Sequence, residues 1–233
     1  MPASSTAEPE KTRNRSKRSW KFLIIAGLMV AASLVLLGPA LVSSRGGPGH
    51  ELIRSTNNMR QIGLALMEFE SEFGRMPSPA TIELVRARYP VTEVPMGTRS
   101  SNDYFHQLFA AQIVVSRSFF YGYGVSDHKP GDWLENEPPL PPGSCGFAYI
   151  IHDAEAIPPN TPLLLYPLIR GQLAFDKKLC KLWNNQVAVL YADSTVSIHK
   201  LDSKSRLIIN GHDFFDPAQP HWNGGTFRVV WPE

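Results

Sequence analysis

Little in this chain announces a chemistry. Two cysteines in 233 residues, Cys145 and Cys180, do not make a metal site, and no C-x-x-C or H-x-x-x-H spacing adds ligands to them. No G-x-S-x-G elbow sets a serine beside a base, so nucleophilic catalysis has no local motif to rest on. Gly122 and Gly124 are followed by neither a helical pattern nor a lysine at phosphate-loop spacing, and no cofactor is expected. Excess positive charge is absent from most of the chain. The net charge is +2, and the tail before Phe22 supplies +4 of it, from six basic residues against Glu8 and Glu10. The remainder stands at −2, which offers no basic face to a phosphate backbone and excludes nucleic acid as the expected partner.

One feature is abundant instead: an apolar run from Phe22 to Val42 with no charge in it. At about 1.5 Å per residue its helix would span a hydrocarbon core of roughly 30 Å. Lys11, Arg13, Arg15, Lys17, Arg18 and Lys21 precede it, so the positive-inside bias keeps the tail cytoplasmic and sends the rest across the inner membrane. Trp20 falls at the inner interface. The rival reading is a cleavable signal peptide with a small-residue site at Val42-Ser43-Ser44, but the run is longer than an ordinary signal core. The expected organisation is a disordered basic tail (1–19), a transmembrane signal anchor (20–43), a flexible Gly/Pro connector (44–50) and one extracytoplasmic domain (51–233). Roughly 185 residues outside the membrane suffice for a real core.

Within that domain a helix is expected from His50 or Glu51 to Gly74, with Pro77 beyond it. Leu52, Met59, Ile62, Leu66, Phe69 and Phe73 recur at helical spacing as one apolar stripe, which packs on the domain's own sheet. A short helix fits Pro79–Tyr89, and a better one starts at the capping-type Ser100-Ser101-Asn102-Asp103. Phe119–Tyr121 reads as a short strand, followed by a long surface loop from Gly122 to Ser144. The period then changes. Phe147–Ile151, Pro162–Tyr166, Gln186–Ala192 and Val196–His199 read as strands, the last two joined as a hairpin through Asp193-Ser194. The stretch from Asp216-Pro217 to Glu233 reads as a tail across the surface. Helices followed by strands predict an α+β class, with a long amphipathic helix on one face of an antiparallel sheet.

Candidate site residues are few. Outside the cytoplasm Cys145 and Cys180 have the right number for one disulfide, or stand as two separate buried thiols. Tyr121 and Tyr123, with Trp133 nearby, form a possible contact surface for sugar or peptide; alternatively the tyrosines cover a sheet edge and Trp133 pins the loop. His152-Asp153, Asp193, His199, His212-Asp213 and His221 carry catalytic residue types without a motif. Asp127, Asp132, Glu135 and Glu137 are carboxylates in a loop where acids keep a segment solvated. No catalytic residue is assigned, and an enzyme is not expected.

The run Asn57-Asn58-Met59-Arg60-Gln61-Ile62-Gly63-Leu64-Ala65-Leu66, with Phe69 and Gly74-Arg75-Met76-Pro77, resembles the helix after the membrane segment of pilin-like proteins. It is similar in particular to the type II secretion pseudopilin relatives abundant in Verrucomicrobia and Planctomycetes. Val187 to Asp193 followed by Val196 resembles their late strand pair, and the order of Ser101–Phe105, Phe119–Tyr121, Pro167–Ile169 and Trp231–Glu233 is similar too. The resemblance implies a pilin-like domain and partners among other pilin-like subunits or secretion-system proteins. The chain departs from that pattern in three places. No glycine precedes Phe22 as a prepilin peptidase junction would require, the apolar run lacks a glutamate, and Gly38-Pro39 with Gly46–Gly49 separates membrane helix from soluble helix. These departures favour the alternative of a tethered binding module for an envelope polymer or small ligand.

Overall fold

The stripe at helical spacing becomes a long helix, α1, over Pro48–Phe73. In this computed structural model the residues described are 48–129, 137–152, 157–222 and 227–233. Proline suits a first helical turn because its missing N–H would be unpaired there anyway. The helix ends where Gly74 takes a left-handed φ of +77° and returns its N–H to the Glu70 carbonyl at 2.7 Å. Leu52, Met59, Ile62, Leu66 and Phe69 are all buried, and Phe73 packs against the same cluster.

Two further helices follow, α2 over Ile82–Arg88 and α3 over Ser101–Ala110. A 3-10 turn at Pro79–Thr81 leads into α2. Ser100 caps α3 by accepting the Asp103 N–H at 3.3 Å. A fourth helix, α4, covers Lys177–Leu182 and is capped by Asp176, whose carboxylate accepts the N–H groups of Lys178 and Leu179.

The main sheet is antiparallel throughout. Its strands are β1 (Ala148–His152), β2 (Pro162–Tyr166), β3 (Gln186–Tyr191), β4 (Val196–Lys200) and β7 (Phe227–Val230), ordered β4-β3-β2-β1-β7. Pleating sends alternate residues to opposite faces. Ala188 and Leu190 of β3 join the helix-side core, whereas Val187 and Val189 join a second core behind the sheet. A small ribbon of β5 (Ile208–Ile209) and β6 (His212–Asp213) turns through Asn210-Gly211, both at positive φ. That pair is the usual chemistry of a two-residue hairpin turn.

Expectation and structure differ in several places. The helix begins at Pro48, so its first turn takes the end of the stretch read as connector. Arg117–Phe120 is a 3-10 turn where Phe119–Tyr121 was expected to be a strand, because Phe120 fills the core beside Phe105 rather than pairing in the sheet. The C-terminal segment is no surface tail: β7 pairs with β1 from Tyr149↔Val230 to His152↔Phe227, and Trp222 is buried. The sheet is covered on both faces, since Leu168, Phe175, Cys180, Phe214 and Trp222 close the side away from α1. No helix among the described residues is long and apolar enough to cross a membrane; Phe22–Val42 lies outside the described residues.

Candidate functional site

The contact surface expected at Tyr121 and Tyr123 is largely an internal fastening. Asn58 on α1 donates its amide N–H to the Tyr121 carbonyl at 2.9 Å and to the Ser118 carbonyl at 3.3 Å. One turn earlier, Ser55 Oγ accepts the Tyr123 N–H at 3.2 Å, and Arg54 donates to the Tyr123 hydroxyl at 3.3 Å. The Arg54 guanidinium also lies 5.6 Å from the Tyr123 ring centre, within cation–π range. From the sheet, the Tyr166 hydroxyl donates to the Tyr123 carbonyl. The two tyrosine rings meet edge-to-face at 4.8 Å. Tyr121 is buried and only Tyr123 is half-buried, so the pair offers little free aromatic face. Trp133 lies outside the described residues.

Asn58 is therefore a clamp between helix and loop, and Gly63 in the same motif has a packing reason of its own. A Cβ there would sit 2.9 Å from Leu190 Cδ1 and 3.2 Å from Ser194 Oγ, so glycine lets α1 close down on the β3–β4 hairpin. Gly122 is constrained similarly: its Cβ would meet Gly146 Cα at 2.8 Å.

Beyond Tyr123 the chain borders an open cleft of about 530 Å³, lined by Asp127, His128, Gly143, Arg170 and Leu179 among others. Its wall is backbone-built. The Gly143 carbonyl accepts the N–H groups of Asp127 and His128 at 2.8 and 3.2 Å, and the Gly143 N–H donates to the Glu233 carbonyl at 2.6 Å. Carboxylates and a guanidinium share this cleft, which suits a polar ligand more than an apolar one. A smaller cavity of about 290 Å³ lies between Arg75–Ala80 and Tyr149–Ile157.

The two cysteines are both free and buried, and no disulfide joins them. They belong to different layers: Cys145 sits in the helix-side core and Cys180 in the core behind the sheet. Burial pushes each thiol up to about 12, so neither is a thiolate at neutral pH. Cys145 has Phe147 O and Ser101 Oγ as its neighbours at 3.7 and 3.8 Å.

The histidines are spread over the fold. His106 on α3 accepts the Leu140 N–H at Nε2 (3.2 Å), His221 bonds to the Phe214 carbonyl (3.0 Å), and His199 meets the Tyr191 hydroxyl (3.1 Å). Desolvation lowers all three from the ordinary imidazole value. None of these bonds leads to a serine, a cysteine or a carboxylate. His152 lies 2.9 Å from the Pro162 carbonyl. Asp193 does turn work, accepting the Thr195 N–H and hydroxyl at 2.9 and 2.6 Å. His212 and Asp213 form β6. Of the loop carboxylates, Asp127 lines the cleft and Glu137 accepts an Arg117 N–H at its backbone carbonyl (3.2 Å), while Asp132 and Glu135, like Asp153 beside His152, lie outside the described residues. Among the described residues no group of three or more His, Cys, Asp or Glu side chains is placed to hold a metal.

Compared with protein-family models, curated proteins and solved structures, the chain has no significant match in any of the three.

Proposed function

We propose that the chain is a non-catalytic, membrane-anchored pilin-like or pseudopilin-like protein, an accessory or divergent structural subunit of a secretion or pilus-type assembly. The observation that carries this reading is the use made of the Asn57–Leu66 motif. Its Asn58 and Gly63 are spent on laying a long helix against loop and hairpin, so the motif serves a helix-on-sheet domain, which supports a scaffold. The apolar run Phe22–Val42 and its basic flank supply the reason to place the domain outside the cytoplasm on a single-pass anchor. Scaffolding is then the mechanism: the anchor limits the domain to the membrane's vicinity, and its loops meet partners.

The open cleft beside Asp127 and Arg170 favours a second reading, a tethered module that binds an envelope polymer or small polar ligand without polymerising. Intact mass and N-terminal sequencing of the protein from native membranes separate the two. Loss of the basic tail with the apolar run retained means pilin-type processing and supports the subunit. A full-length chain, less its initiator methionine, means a permanent anchor and supports the module.

A further inference from the structure

The charge of the domain is unevenly placed. Residues 48–233 carry 16 basic and 19 acidic side chains, yet Arg170–Leu182 holds Arg170, Lys177, Lys178 and Lys181 against the single acid Asp176. Elsewhere among the described residues, four arginines are ion-paired, Arg86 with Glu83, Arg88 with Glu72, Arg99 with Glu233 and Arg206 with Asp202, and Arg54, Arg60 and Arg228 donate to uncharged side chains. The four cations of this segment enter no ion pair among the described residues, and all four are exposed. The Asp176 carboxylate is turned to its own helix, accepting two backbone N–H groups.

Two large apolar side chains stand out in solvent among these cations. Leu173 is 49% exposed near the tip of a tight turn closed by the Ile169 N–H to Ala174 carbonyl bond at 2.8 Å, and Leu182 is 56% exposed at the end of α4. Helical spacing puts Lys177, Lys178, Lys181 and Leu182 on the outward arc of α4, with Cys180 facing the core. The half-exposed Trp231 leans on the same turn, its indole N–H donating to the Gln172 carbonyl at 3.3 Å. Four exposed cations outside any ion pair, two exposed leucines in the same segment and a half-exposed indole bonded to its turn match the chemistry of an anionic lipid surface, where headgroups take the charge and the acyl boundary takes the apolar tips. A purely ionic partner, such as a soluble polyanion, would leave the leucines unexplained.

We infer that the turn Arg170–Leu173 and helix α4 form a docking face for anionic phospholipid. This goes beyond the scaffold reading and does not depend on whether the domain assembles. The test is hydrogen exchange of the full chain in nanodiscs, of phosphatidylcholine alone or mixed with phosphatidylglycerol. The expected result is about tenfold slower exchange at 170–182 in the anionic discs, lost in high salt and in K177E/K178E/K181E, with β3 exchange unchanged as the check on folding. L173S tests the apolar half, and is expected to weaken the protection without changing its salt dependence. Equal exchange in the two lipids overturns the inference. Equal protection by soluble polyphosphate in phosphatidylcholine discs overturns it too, because the face then reads charge and not membrane.

Discussion

On the helix side of the sheet, α1 alone supplies Leu52, Met59, Ile62, Leu66 and Phe69 to the core. On the opposite side, Leu168, Phe175, Cys180, Leu201, Leu207, Phe214 and Trp222 come from separate turns, a six-residue helix and a two-strand ribbon. The first layer is led by one amphipathic segment whose period writes its buried face into the sequence, with Val85, Tyr104, Phe105 and Leu108 added from two shorter helices. The second is a collection of single anchors, each placed by the segment before it. Both bury the same strands, so strands such as Pro162–Tyr166 read as unbroken apolar runs rather than alternating ones.

The sharpest way to break this contrast is to remove one anchor from each layer. Phe69→Ala and Trp222→Ala are each expected to cost about 3–5 kcal/mol, by lost burial and an incompletely collapsed cavity. Trp222 also gives up its indole bond to the Phe214 carbonyl at 2.9 Å. Urea unfolding followed by tryptophan fluorescence and by far-ultraviolet circular dichroism checks both. Coincident midpoints in each variant mean that the layers unfold as one unit. A Trp222→Ala protein that keeps its helical transition unshifted would make the back layer a separate, weaker cover.

A smaller effect is expected from Asn58→Ala, which leaves two carbonyls of the 118–121 segment without their amide donor. The loss should be about 1–2 kcal/mol, concentrated in faster amide exchange around Ser118–Tyr123, with the sheet strands little affected. Uniformly faster exchange would show that the clamp supports the whole fold instead.

Acid should strain both layers, since each holds a buried histidine whose folded-state value is depressed by desolvation, His106 in front and His221 behind. Such a group binds protons more readily when unfolded, so its contribution is complete above the unfolded imidazole value, near 6.5, and falls away as pH drops through the lower folded value. At His106, the charged groups and dipoles acting on the ring are Asp103 on its own helix, the Leu140 N–H and the Pro95 carbonyl. Protonation turns Nε2 from an acceptor into a donor facing the Leu140 N–H. The urea midpoint should therefore decline from pH 7.5 towards 5, and His106→Gln should flatten part of that decline. An unchanged slope in that variant would assign the acid sensitivity to the back layer.

The smallest effect is the absence of one. Because Cys145 and Cys180 are free thiols held in different layers, reductant should leave the melting temperature unchanged. Iodoacetamide should label neither thiol until the protein unfolds. A reductant-dependent drop would mean that the two are joined.

Legibility in the sequence followed the range of the interactions. The apolar stripe of α1, the Ser100 cap of α3 and the β3–β4 hairpin with its Asp193 turn are all set by neighbours within a few residues, and each was expected close to where it lies. The Asn210-Gly211 turn of β5–β6 and the Asp176 cap of α4 carried local signals of the same kind, but strands of two residues and a helix of six give periodicity too little length to register. Tyr121 and Tyr123 allow two readings from sequence, a contact surface or a covered sheet edge. Only contacts across more than sixty residues, with Ser55 and Asn58, make them a fastening.

By itself, the sequence determined the α+β class, the long helix with its buried face, four of the five main-sheet strands, and the run Phe22–Val42 from which an anchor is expected. Each is a pattern of hydrophobicity or turn chemistry contained in one contiguous stretch. Tertiary structure alone decided that β7 closes the sheet beside β1, that both sheet faces are covered, that the cysteines lie in separate layers, and that Asn58 and Gly63 serve packing. Those outcomes depend on which distant segments meet, and the free energy that selects among such pairings belongs to the assembled core rather than to any stretch within it.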